Sequence, residues 1–143
     1  MREGQAASEE TNPAFAGSFL YGLLGLIETE RSAREAALAA GEALLARGAV
    51  GHKHCFFRRY AIEAALLAEE WDAAEAHAAA LARRTAAEPL PYSDLIVARG
   101  RILARMGRGT ARDEDVGELA ALRAKAAAAD FRIDVLTEAL RSE

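Results

Sequence analysis

The sequence has 143 residues, which is enough for one domain with a continuous hydrophobic core. Its formal net charge of −4 argues against nucleic acid as the main partner, because a phosphate backbone is bound by a basic face. The single cysteine excludes an intrachain disulfide and favours a reducing compartment, so we expect a cytoplasmic protein. We expect no membrane partner, since the most apolar stretch, residues 15–27, is too short to cross a bilayer.

Alanine takes 36 of the 143 positions and β-branched residues are scarce. This composition predicts an all-α chain whose helices approach one another closely. The polar, acidic residues 1–11 are predicted to form a disordered leader, and residues 12–143 a single helical domain. We expect about seven helices, joined by short turns into antiparallel hairpins.

The first helix is predicted to begin at Pro13 with Asn12 as its cap, because proline suits the first helical position. Apolar residues at helical spacing continue to Ile27. Gly22 and Gly25, together with a further glycine at position 17, would weaken an isolated helix. They indicate that another backbone packs closely here, or that this segment docks onto a further partner.

The later helices are predicted from capping residues, breakers and apolar spacing. The predicted N-cap side chains are Ser32 (with Glu35, as a capping box), Asp72, and Ser93 or Asp94. Gly48 suits the left-handed position after the second helix, and a fifth helix is predicted to end at Gly107. The other predicted helices cover residues 33–47, 53–69, 73–85, 113–129 and 131–140.

The segment AEEWDAAE resembles the turn of a tetratricopeptide repeat, in which a bulky aromatic (Trp71) follows the bend and a small residue (Ala74) comes three positions later. Gly100 resembles the small residue in the first helix of the next repeat, and Gly107 resembles its turn. The family normally has glycine at the first turn, where this chain has Glu69. The resemblance implies a right-handed solenoid of stacked helical hairpins with a concave face that binds peptides or other domains.

Residues 48–108 show a second resemblance. A WD pair, an EPLP connector followed by an aromatic, and an RGR triplet look like the C-terminal helical region of large bacterial signalling proteins. Those proteins carry an adenylate/guanylate cyclase-type domain and an ATPase module. The pattern has Asn and Trp where this chain has Lys53 and Tyr92. We expect no cyclase activity here, because neither enzymatic domain lies within these 143 residues.

His52, His54 and Cys55 form the one run that suggests a metal. A structural zinc site needs four ligands, and the remaining histidine, His77, is distant in sequence. We therefore treat these three residues as weak metal candidates and expect no cofactor.

Arginine forks in the third and fifth helices suit the recognition of an acidic partner segment. Arg99 and Arg101 are the sharper candidates, because the surrounding apolar pattern predicts partial burial. Ion pairing between helices explains the same arginines, and we prefer that explanation. The residues predicted to line a binding groove are Phe56, Arg59, Tyr60, Tyr92, Arg99 and Arg101.

Catalysis has little support, since Ser93 and Asp94 lie far from any histidine and the GRGT segment lacks the length and lysine of a phosphate-binding loop. We expect a non-catalytic protein-interaction or regulatory module that binds a protein or peptide. One alternative is a small-molecule sensor with an apolar pocket between the N-terminal helix and the central hairpin. The other is an oligomerisation unit, a homodimer that buries the face of residues 15–27.

Overall fold

The computed structural model describes residues 13–49 and 51–133, and this part of the chain is helical with no strand. The all-α prediction is therefore confirmed. None of the described helices combines the length and the apolar character needed to cross a membrane. The helices are α1 Pro13–Ile27, α2 Arg31–Ala46, α3 Gly51–Leu67, α4 Trp71–Thr85, α5 Pro91–Gly107 and α6 Asp115–Ala128.

Three predictions fall wholly or partly outside the described residues. The disordered leader and the cap at Asn12 lie there entirely, as does most of the seventh helix. Residues 131–133, where that helix is predicted to begin, are not helical. The chain forms two compact units that divide between Ala64 and Ala65, within α3.

In the first unit, helices pack where a glycine leaves room for a neighbouring side chain. Phe57 of α3 is fully buried. A Cβ on Gly41 of α2 would overlap its ring, 2.9 Å from Cδ2, and a Cβ on Gly22 of α1 would lie 3.4 Å from the Phe57 Cα. A Cβ on Gly25 would come within 2.6 Å of Leu38 Cδ2. The close approach of another backbone predicted for the glycines of the first helix is seen at Gly22, whereas Gly25 makes room for the Leu38 side chain.

In the second unit, three helices end in the same hydrogen-bonded turn with one residue in the left-handed conformation. After α3 this residue is Glu69, with φ of 58°; the Glu70 amide donates to the Ala65 carbonyl at 2.9 Å and the Glu69 amide to the Leu66 carbonyl at 3.3 Å. This pattern is the Schellman motif, which satisfies carbonyls that a helix end leaves open. Gly109 after α5 (φ 72°) and Asp130 after α6 (φ 55°) form the same turn.

The side-chain caps predicted at Ser32, Asp72 and Ser93 or Asp94 are wrong. The N-cap residues are Glu30 for α2, Glu70 for α4 and Leu90 for α5, and none of them makes a side-chain capping hydrogen bond. Two starts have a clear cause: Pro91 stands at the first helical position with its φ already set, and the Glu69–Glu70 turn leads directly into Trp71. Ser32, Asp72, Ser93 and Asp94 consequently lie inside their helices.

Helices α4 and α5 form an antiparallel hairpin. The start of α4 meets the end of α5, because a Cβ on Gly107 would lie 2.6 Å from the Trp71 ring. One turn further along α4, Glu75 Oε1 accepts a hydrogen bond from Arg101 Nε at 3.0 Å. The resemblance to the repeat assigns the turn to Gly107, but Gly107 is the last residue of α5, and the left-handed residue of the turn is Gly109.

We expect Glu69→Gly to raise the free energy of unfolding by about 1 kcal/mol, because a side chain is strained at positive φ and glycine is not. Gly109→Ala, the reverse change at the equivalent turn, should lower it by a similar amount. Urea denaturation followed by circular dichroism measures both changes. A loss of stability in Glu69→Gly would contradict the strain argument.

We expect Gly41→Ala to lower the free energy of unfolding by roughly 1–3 kcal/mol, because the added methyl group overlaps the buried Phe57 ring. Gly117→Ala in α6 is the matched control, since a Cβ there meets nothing within 4 Å. In an open helical position this change stabilises by up to about 1 kcal/mol. In the same denaturation assay, the free energy of unfolding should fall for Gly41→Ala and rise for Gly117→Ala. Equal changes in the two variants would show that packing at Gly41 is unimportant.

Candidate functional site

An open groove of about 620 Å³ lies in the second unit, mainly between α5 and α6. The α5 side chains on it recur at intervals of three and four residues, as do those of α6, so each helix presents one face. The apolar residues on the groove are Ala82, Val97, Ala98, Ile102, Ala121 and Leu122, and the charged ones are Asp94, Arg101, Arg105, Arg112, Glu118 and Lys125.

Contacts at both ends of the groove hold α5 and α6 antiparallel. At one end Leu95, near the start of α5, packs in a buried cluster with Ala126, near the end of α6. The rings of Tyr92 and Phe131 cross beside this cluster with centroids 5.1 Å apart. At the opposite end Arg105 is bonded to Asp115, the first residue of α6.

Asp115 is fully buried and accepts hydrogen bonds on both carboxylate oxygens. Its Oδ2 accepts from Arg105 Nε at 3.0 Å and from the Arg112 backbone amide at 2.9 Å. Its Oδ1 accepts from Arg105 Nη2 at 2.5 Å, from Arg112 Nη2 at 2.8 Å and from Arg112 Nε at 3.1 Å. Glu118 joins the network, since its Oε2 accepts from Arg112 Nη2 at 2.8 Å.

These bonds keep Asp115 ionised. The Arg105 hydrogen bonds hold the pKa of the Asp115 carboxyl well below its usual range, although burial acts to raise it, and hydrogen bonds from Arg112 lower it further. The same carboxylate raises the pKa of the Arg105 and Arg112 guanidinium groups. Asp115, Arg105 and Arg112 therefore form an ionic clamp on the turn between α5 and α6.

Arg101 and Lys125 differ from the clamp residues. Arg101 donates from Nε to Glu75, and its two Nη groups make no hydrogen bond to the described residues. Lys125 is exposed and makes no ion pair within the described part of the chain. The carboxylate of Asp94 likewise has no ion-pair partner there. The groove thus presents polar groups that remain available to a ligand.

The structure distributes the six predicted groove residues over both units. Phe56, Arg59 and Tyr60 lie on α3 in the first unit, where the Phe19 ring packs edge-on against Phe56 at 6.1 Å and Tyr60 at 5.5 Å. The Arg59 guanidinium lies 5.9 Å from the Tyr60 ring.

The other three predicted residues lie on α5 in the second unit. Arg101 lines the groove. Tyr92 contacts Phe131, and Arg99 is 2 % exposed, more deeply buried than predicted.

The three weak metal candidates also lie on α3. The His52 ring contacts the Phe56 ring at 6.4 Å, and the buried Cys55 thiol donates to the Gly51 carbonyl oxygen at 3.7 Å. His54 is half-buried. Within the described residues, no group of three or more His, Cys, Asp or Glu side chains is arranged to hold a metal ion.

Several groove residues were not singled out by sequence reasoning. The Arg112-x-x-Asp115 spacing at a helix start is the available signal for the clamp, because it places a cation next to an acid in the first turn. No local pattern indicates Arg105, which reaches Asp115 only because α5 and α6 fold back on each other.

Comparison of the chain with protein-family models, with curated proteins and with solved structures found no match. The resemblances to the tetratricopeptide repeat and to the tail of cyclase-type signalling proteins therefore stay predictions.

We expect Asp115→Asn to lower the melting temperature by at least about 5 °C, because it leaves the guanidinium of Arg105 without its buried counter-charge. The exposed Asp113 provides the control, Asp113→Asn, which should change the melting temperature little.

The Asp115→Asn substitution should also change how the free energy of unfolding depends on pH. A carboxyl with a depressed folded pKa stabilises the fold above its unfolded pKa of about 3.9 and loses that contribution on protonation. The native protein should thus lose stability as the pH falls from 5 towards 2, and Asp115→Asn should lose less over the same interval. Parallel stability curves from urea denaturation at each pH would contradict this role.

Proposed function

We propose that the chain is a non-catalytic protein-interaction or regulatory module whose α5–α6 groove holds a segment of a partner protein. The composition of the groove is the observation that supports this proposal. Its floor combines apolar side chains from three helices, with Val97, Ile102 and Leu122 the largest, and charged side chains surround them. An apolar centre with a polar rim is the usual composition of a protein interface.

Two contacts support a tetratricopeptide-like construction. Glu69 adopts the left-handed conformation at the position where the repeat normally has glycine. Trp71, the aromatic residue after the bend, packs on Gly107 and joins two successive helices. A right-handed solenoid with a seventh helix is the arrangement that we propose for these hairpins, and the resemblance of residues 48–108 to the tail of cyclase-type proteins suggests a regulatory partner.

A small-molecule sensor is the second candidate, because 620 Å³ lies within the usual range of ligand pockets, about 300–1,000 Å³. We prefer a protein partner for two reasons. The groove is open, whereas pockets bury most of the surface of a small ligand. Its lining also follows two helix faces over several turns, which matches an elongated partner better than a compact one.

Filling the groove should abolish partner binding. Ala121→Trp places an indole in the groove from an exposed helix position, and Ala120→Trp places the same side chain next to it, outside the groove lining. We expect a partner from a lysate of the source organism to be retained by the native protein and by Ala120→Trp, and to be lost from Ala121→Trp. Affinity capture with quantitative mass spectrometry measures this, and melting curves verify that both variants fold.

Two outcomes would contradict the proposal. In one, no protein is retained above a blank resin. In the other, both tryptophan variants retain the same proteins as the native chain, which would locate any binding outside the groove.

A further inference from the structure

We infer that the groove accepts an amphipathic helix of the partner, with an acidic residue beside its apolar face. This inference rests on the proposed function and specifies the chemistry of the partner at that site. It is drawn from the shape of the groove and from the donors that the α5–α6 hairpin leaves available.

The shape fits a helix. The α5 residues on the groove extend from Asp94 to Arg105, about 16 Å along the helix axis, or three turns. The α6 residues extend antiparallel beside them, from Glu118 to Lys125. Two adjacent helix faces form a channel into which a third helix can pack its side chains at an axial distance of about 8–10 Å. Apolar residues spaced three and four apart on the partner would then reach the floor at Leu122.

The charge fits an acidic flank. Four cationic and two anionic side chains surround the groove. Asp115, which neutralises Arg105 and Arg112, is buried and does not line the groove, and Glu75, which binds Arg101, does not line it either. Arg105 and Arg112 are already paired with Asp115, and Arg112 also with Glu118, so a partner carboxylate would find its donors at Arg101 and Lys125.

Two of these donors are available. The Nη groups of Arg101 can bind a carboxylate with two parallel hydrogen bonds while Nε stays on Glu75. The Lys125 ammonium supplies a second cation from the opposite helix. Since Leu95 packs with Ala126, Lys125 lies at the same end of the groove as Asp94. We thus expect the acidic flank of the partner to face Arg101, near the middle of the groove, and Lys125, at the end where α5 begins.

A display library of random peptides of about 16 residues, long enough for four helical turns, tests this inference with the full chain as bait. The expected peptides carry apolar residues at helical spacing and more Asp and Glu than Lys and Arg. For one enriched peptide, fluorescence anisotropy should show about tenfold weaker binding to Lys125→Glu, since a charge-assisted contact is replaced by repulsion. Arg123→Glu is the matched control, because it makes the same change of charge on an exposed position of α6 that does not line the groove.

Ala121→Trp separates the failure of this inference from the failure of the proposed function. Enriched peptides without an acidic excess, bound equally by the native protein and Lys125→Glu but lost from Ala121→Trp, would overturn the acidic preference and leave the groove as a binding site. Enriched acidic peptides that show no helical circular dichroism when bound would overturn the helical occupant. Failure to enrich any peptide, or binding unaffected by Ala121→Trp, would overturn the inference and the proposed function together.

Discussion

The buried carboxylate of Asp115 is the interaction on which the groove depends. It ties the end of α5, the following loop and the start of α6 together through Arg105 and Arg112. A lone charge in this position would be costly to bury, but five donors compensate for the lost water. Because the clamp acts at one end and the Leu95–Ala126 cluster at the other, α5 and α6 are held as two sides of a groove.

Small residues supply the second constraint on the fold. Phe57 fits against Gly41 and Gly22 in the first unit, and Trp71 covers Gly107 in the second. At Gly41 and at Gly107 an aromatic ring occupies the space that a Cβ would take, so the two helices pack closely without a gap between them. The glycines that weaken these helices locally are therefore required by the packing.

Two sides of α5 make different contacts. One side of the helix packs on α4 through Gly107 and forms the Arg101–Glu75 ion pair. Another side lines the groove with Val97 and Ile102. Arg101 belongs to both sides: it forms the inter-helix ion pair that we prefer as its role, and it also lines the groove. Specificity for a partner would then depend on residues that the scaffold has already positioned.

The sequence by itself determined the helical class and the approximate helix positions, because alanine content, apolar spacing and helix-ending residues act over a few neighbouring positions. The left-handed conformation of Gly48, with φ of 98°, is likewise predicted from its local position after a helix. The tertiary structure alone decided which helix faces meet. The partnership of Arg105 with Asp115 depends on how the helices of the second unit pack, since periodicity identifies an apolar face without identifying what covers it.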